Sequence, residues 1–151
     1  MRVIAVGKLK APYAAQACAE FAKRLRPYYP LEIVEVKASD GSQPDAAMDE
    51  EAERITKQLH NDDCVWLLDR GGDELSSEQL SRAIADVANR GVRRIAFVIA
   101  GTYGAADSLR ERADFVWSLS KLTLLHEWAR MIVLEQLYRA AKIDRNEPYH
   151  H

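Results

Sequence analysis

The feature that most constrains this chain is a regular alternation of short apolar runs with longer stretches of helical periodicity. The sharpest run is Arg94-Ile-Ala-Phe-Val-Ile-Ala100, apolar at every position after the arginine. A strand that is apolar throughout, rather than at every second residue, is covered on both faces, and such strands belong to parallel sheets flanked by helices. Residues 3–6, 31–36, 63–68 and 114–118 read as further strands. Between them lies a helix over residues 14–25, with Ala17, Phe21 and Leu25 at four-residue spacing and Pro27 and Pro30 stopping it. A polar loop over 38–49, holding Gly41, Ser42 and Pro44, leads into a charged amphipathic helix over 49–59. Ser76 caps the next helix with Gln79 as its capping-box partner, Leu80, Ile84 and Val87 form the buried stripe, and Gly91 closes it. A short helix ends near Arg112, and a long one over 126–142 precedes a tail with Pro148, Tyr149, His150 and His151. The expectation is a single α/β domain over residues 1–151, with a mostly parallel sheet flanked by helices.

Composition narrows the function classes. No apolar run approaches the roughly 20 residues of a membrane helix. Met1 to Gly7 holds one basic residue and a five-residue apolar stretch, which fits a first strand better than a secretory signal and points to the cytosol. Cys18 and Cys64 stand far apart with neither a CxxC nor a histidine pair nearby, so no disulfide framework or metal site is expected and both read as small buried residues. A net charge of −2 argues against a protein that holds nucleic acid by electrostatics alone. Lys23-Arg24-Leu25-Arg26 and residues 90–94 are the basic clusters, either solvated faces or local contacts to a structured target.

In open parallel sheets ligands bind beyond the carboxyl ends of strands. Leu68-Asp69-Arg70-Gly71-Gly72, Gly101-Thr102-Tyr103-Gly104 and residues 118–125 have that position, and each glycine pair reads equally well as a plain strand-to-helix turn. The 101–104 segment is neither a GxGxxG fingerprint nor a Walker loop, the first strand ends in Gly7-Lys8 rather than in acidic residues, and no serine sits in a GxSxG elbow. Trp117-Ser-Leu-Ser-Lys-Leu-Thr-Leu124 is hydroxyl-rich yet apolar and reads as a buried loop. In the final helix, Trp128, Met131, Ile132, Val133, Leu134, Leu137 and Tyr138 spread around most of the circumference. Either the helix is central or one face meets a partner; for a terminal helix in a small domain the second is favoured, as a symmetric dimer.

Several of these segments together resemble a known family. The glycines Gly101 and Gly104 after an apolar strand, Ser118-Leu-Ser-Lys-Leu-Thr-Leu124, His126, Arg130, Glu135-Gln-Leu-Tyr-Arg-Ala140 and Pro148-Tyr149-His150 are similar to those of the RlmH family, the ribosomal RNA large subunit methyltransferases H. These are SPOUT-class enzymes that methylate N3 of a pseudouridine in 23S ribosomal RNA, and the resemblance covers the whole chain. It implies an α/β fold with a C-terminal trefoil knot, a homodimer, S-adenosylmethionine as methyl donor with no metal, and the ribosome as partner. The implied cofactor contacts are Leu68, Gly101, Leu119, Ser120, Lys121, Leu122, Thr123 and Leu124. Backbone groups of tight loops would read an adenine edge while Leu68, Leu119, Leu122 and Leu124 sandwich the ring; the hydroxyls of Ser120 and Thr123 either join in or satisfy their own loop. Thr102-Tyr103, Leu125 and the Glu147 to His151 tail depart from the family pattern.

The resemblance also suggests a division of labour. Tyr149 and His150 from one subunit's tail would hold the base over the cofactor of the other, Tyr149 preferred because a terminal tail has little to pack against. His126 and Arg130 would shape the pocket, with a helix cap and a structural ion pair as the plain alternatives. A SPOUT enzyme acting on another RNA such as transfer RNA, and a non-catalytic α/β binding or assembly module, are the rival functions.

Overall fold

β4 (Arg94–Ile99) lies at the centre of a five-stranded parallel sheet, the place an all-apolar strand must occupy. The computed structural model of the chain describes residues 1–149. In chain order its other elements are β1 (Arg2–Val6), α1 (Pro12–Leu25), β2 (Glu32–Val36), α2 (Pro44–Thr56), β3 (Asp63–Glu74), α3 (Ser77–Asn89), α4 (Asp107–Arg112), β5 (Phe115–Ser118) and α5 (His126–Asp144). The sheet order is β2-β1-β4-β3-β5. On one face α1, α3 and α5 bury Cys18, Leu25, Leu80, Ile84, Val133 and Leu137 against Val3, Trp66, Phe97 and Trp117. On the other, α2 and α4 bury Ala52, Ile55 and Leu109 against Ile4, Val65, Leu67 and Val98. Trp66 anchors the first core, edge-on to Phe97 at 5.4 Å and Phe115 at 4.9 Å between ring centres.

Local signals resolve as expected where a side chain acts on its own backbone. Ser76 accepts the Gln79 N–H at 3.2 Å, Gln79 returns the bond to the Ser76 N–H, and Gly91 takes the left-handed conformation that ends α3. Two expectations are corrected. α2 starts at Pro44 rather than Asp49, because a proline's fixed φ suits a first helical turn as well as a loop. β3 does not end at Leu68: Leu68 and Asp73 both pair with Trp117, so the chain leaves the ladder over residues 69–72 and rejoins it. Gly71 and Gly72 therefore lie in a bulge within β3, not in a turn to a helix.

α5 takes a central place in its layer. It lies against both α1 and α3 on the sheet, with Ser81 donating to the Ala140 carbonyl at 3.0 Å and Phe21 against Tyr138. A central place in its layer, one of the two readings of its wide apolar girth, accounts for the faces turned to α1, α3 and the sheet, while Trp128 stays 46% exposed.

Candidate functional site

Leu68, where β3 leaves the ladder, lies in the strand next to β4 and β5, which Gly101 and Leu119 follow. Ile99 pairs with Leu68, and Leu68 with Trp117, so at about 4.8 Å per strand the three positions span roughly 10 Å. The helices that follow β3 and β4 lie on opposite faces of the sheet, the arrangement that marks a ligand crevice beyond those strands in an open α/β sheet.

The loop from residue 119 to 125 crosses the edge of this crevice and is fastened to the β3 bulge. Ser118 Oγ donates to the Ser120 carbonyl at 3.1 Å, Lys121 Nζ to the Gly72 carbonyl at 3.2 Å, and Arg70 reaches Thr123 Oγ1 at 3.5 Å. Ser120 Oγ accepts the Leu122 N–H at 3.1 Å, so this hydroxyl serves its own loop. Among the described residues no backbone-to-backbone bond engages residues 121–123, which leaves open donors and acceptors there. The expectation of a buried loop is overturned: Leu122 is 72% and Leu125 66% exposed, while Leu119 and Leu124 are half-buried. The loop follows the edge strand β5, and among the described residues no further strand lies beyond that edge to cover it.

Two acidic residues brace the strand ends. Asp69 accepts the Gly71 N–H at 2.8 Å and pairs with Arg110 of α4 at 2.6 Å. Burial alone would push its carboxyl up; the Arg110 guanidinium and the Gly71 N–H outweigh that and hold it below the usual carboxylate range. Glu51 of α2, only 6% exposed, lies against Gly101, where a Cβ would sit 2.3 Å from its Oε2. Gly101 is thus a glycine because a carboxylate fills the space its side chain would need. The turn it begins is closed by the Gly104 N–H on the Gly101 carbonyl at 3.2 Å, with Gly104 at φ +99°.

His126 and Arg130 belong to the neighbouring end of β1. The His126 Nε2 would be 3.7 Å from a Cβ on Gly7, whose own φ is +78°. Arg130 is 1% exposed and donates to Glu35 at 2.5 Å and to the Gly7 carbonyl at 2.7 Å. Its remaining Nε has no partner among the described residues. Glu127 accepts the N–H groups of Lys10 and Ala11 at 2.9 and 3.0 Å, which hold its carboxyl below the ordinary range and tie the start of α5 to the β1–α1 loop. Burial raises the Cys18 thiol beside this cluster, as suits an inert packed cysteine.

Tyr149 does not stand free, as expected of a tail. Its ring packs edge-on against Tyr138 at 4.7 Å and beneath the Arg139 guanidinium at 4.8 Å, and its hydroxyl donates to Glu135 at 3.2 Å. The tail folds back because α5 offers it an aromatic and a charged partner. Burial, then the Glu135 carboxylate, pushes the phenol up, so it is a protonated donor at neutral pH. His150 lies outside the described residues.

Periodicity gave no sign of Glu51, Glu35 or Glu127, and placed Asp69 at a strand end without giving it a partner. Each is an acidic residue with a partner distant in sequence, and a single charged residue within an element reads as solvated. Of the basic clusters, Lys23, Arg24 and Arg26 are exposed, while Arg94 is paired with Asp63 at 2.5 Å.

The fold recurs in a solved structure. A crystal structure from Neisseria gonorrhoeae, provisionally described as a methylase family protein, superposes with a TM-score of 0.54 at 18% identity, over 99% of this chain and 84% of that one. The family model described as "Predicted SPOUT methyltransferase" matches residues 1–150. Full-length relatives give the finer assignment. The chain is 42% identical to a ribosomal RNA large subunit methyltransferase H from Gloeobacter violaceus, over 100% of this chain and 98% of that protein. It is 40% identical to the protein of the same name from Geobacter sulfurreducens, over 100% and 99%. The chain belongs to the ribosomal RNA large subunit methyltransferase H family of SPOUT methyltransferases.

Proposed function

We propose that this protein is an S-adenosylmethionine-dependent methyltransferase that acts in the cytosol on N3 of a pseudouridine in 23S ribosomal RNA, as a homodimer with a C-terminal knot. The observation that carries the proposal is the convergence of Leu68, Gly101 and the 119–124 loop on one crevice, in a chain whose full-length relatives are named for large-subunit ribosomal RNA. The residues present suit the cofactor. Backbone groups at residues 121–123 other than the Leu122 N–H are open to an adenine edge, and exposed Leu122 with half-buried Leu68, Leu119 and Leu124 suits the two faces of a flat ring.

When bound, S-adenosylmethionine supplies a methyl group already activated by the sulfonium. What remains for the chain is to hold the base in line and to help the weakly acidic N3–H give up its proton. In this scheme Arg130, committed to Glu35 and the Gly7 carbonyl, and His126 beside Gly7 shape the β1 end of the pocket rather than exchange protons. Tyr149 would orient the base by turning its hydroxyl from Glu135 to donate to the base instead. It docks on Tyr138, twelve residues along α5 from His126, or about 18 Å at 1.5 Å per residue. That separation from its own loop favours service to a partner's pocket, with His150 beside it. The apolar corner formed by Tyr13 (55% exposed), Leu122, Leu125 and Trp128 (46% exposed) supports a second copy as the covering surface. There Trp128 Nε1 donates to the Tyr13 hydroxyl at 3.0 Å.

Calorimetry with S-adenosylmethionine tests the cofactor assignment: saturable binding is expected, and none at high micromolar concentration would leave a non-catalytic module as the better account. Tyr149→Phe keeps the ring packing and removes the donor. Turnover should fall about ten- to a hundred-fold, the worth of one well-placed hydrogen bond, with cofactor affinity unchanged. Unchanged turnover would remove Tyr149 from the mechanism.

A further inference from the structure

Glu51 carries an unmet bond at the strand ends. Its Oε1 accepts the Ser39 N–H at 2.9 Å, but Oε2 is closed off from solvent and meets no donor among the described residues. Arg54, next along α2, is committed to Glu50 and to the Lys37 carbonyl instead. Burying a carboxylate with one neutral donor and no cation is costly, and an orphaned oxygen of this kind calls for a partner supplied from elsewhere.

Gly101 shows where that partner would come from. A side-chain carbon there would lie 2.3 Å from Oε2 and 2.9 Å from Oε1, so the carboxylate faces the Gly101 backbone directly. The turn over residues 101–104 is what covers it from the crevice. Thr102 and Tyr103 are exposed, nothing lies within 4 Å of a Cβ built on Gly104, and a glycine at each end gives the turn room to move.

We propose that Glu51 is a cofactor-contacting residue: as the 101–104 turn shifts, its free oxygen accepts a hydrogen bond from a donor group of S-adenosylmethionine. This rests on the cofactor assignment above. The donors that molecule offers are its ribose hydroxyls and its ammonium, and its net positive charge also favours a nearby carboxylate.

The test measures affinity by calorimetry for wild type and Glu51→Gln, using S-adenosylmethionine and 5′-methylthioadenosine, which keeps the ribose but lacks the amino-acid portion. Glu51→Gln should melt no lower than wild type, since it removes a buried charge, and should bind S-adenosylmethionine at least about ten-fold more weakly. An equal loss for both ligands assigns the ribose, and a loss for S-adenosylmethionine alone assigns the ammonium. Equal affinity of variant and wild type overturns the proposal. Failure of the wild type to bind overturns the cofactor assignment itself and this contact with it. Should Glu51→Gln not fold, Glu51→Asp, which keeps the charge but retracts it, is expected to show the same weakening; undiminished affinity there overturns the proposal equally.

Discussion

Gly72→Ala is expected to disrupt the candidate site more than any other single-methyl change in the chain. A Cβ at Gly72 would lie 2.3 Å from the Val116 carbonyl oxygen and 2.6 Å from its carbon, both backbone atoms of the sheet. Neither can swing aside as a side chain can, so β5 and the bulge must separate. Overpacking of this kind costs about 1–3 kcal/mol. The same bulge carries the Gly72 carbonyl that holds Lys121 and the Arg70 side chain that reaches Thr123, so cofactor affinity should fall at least about ten-fold. Gly71→Ala is the internal control. It meets only the Asp69 carboxylate, at 3.1 Å, and should change stability by no more than about 0.5 kcal/mol. Thermal melts and cofactor titrations of the two variants decide the matter, and equal behaviour would mean that the bulge does not organise the loop.

The second large effect is expected at Arg130. Arg130→Met fits the space but removes both the ion pair with Glu35 and the bond to the Gly7 carbonyl. Breaking a fully buried pair costs about 3–5 kcal/mol. The Glu35 side chain is 35% exposed and can rehydrate, so about 2–3 kcal/mol is the better figure. For a domain of this size that corresponds to a melting temperature lower by roughly 5–10 °C. Glu35→Gln should cost clearly less, because the guanidinium keeps the Gly7 carbonyl and a neutral acceptor. An Arg130→Met variant that melts with wild type would show that the β1 end of the pocket is held by something else.

These two residues mark the boundary of what the sequence made legible. Signals that act within a few residues were readable: the continuous apolar run of β4, the Ser76–Gln79 capping box, the helix end at Gly91. The strand-helix alternation was enough for an α/β sheet, and it is the basis for proposing a site at its carboxyl edge. The β3 bulge was not readable, because Gly72 is explained by Val116, a contact that exists only once β5 has paired beside β3. The exposure of Leu122 and Leu125 likewise depends on β5 falling at the sheet edge, which no local pattern encodes. Tyr149 looked free because its partners, Tyr138 and Arg139, belonged to a helix whose outward face was unknown. The cofactor residues came from family resemblance, whereas Glu51 emerges from the packing around Gly101.

The most direct test of the whole account is transfer of radiolabelled methyl from S-adenosylmethionine to ribosomes that lack the modification, with transfer RNA as the parallel substrate. After digestion to nucleosides, label should appear in 23S ribosomal RNA alone and elute with N3-methylpseudouridine. Label in transfer RNA, label on another nucleoside, or none on ribosomes despite saturable cofactor binding would contradict it.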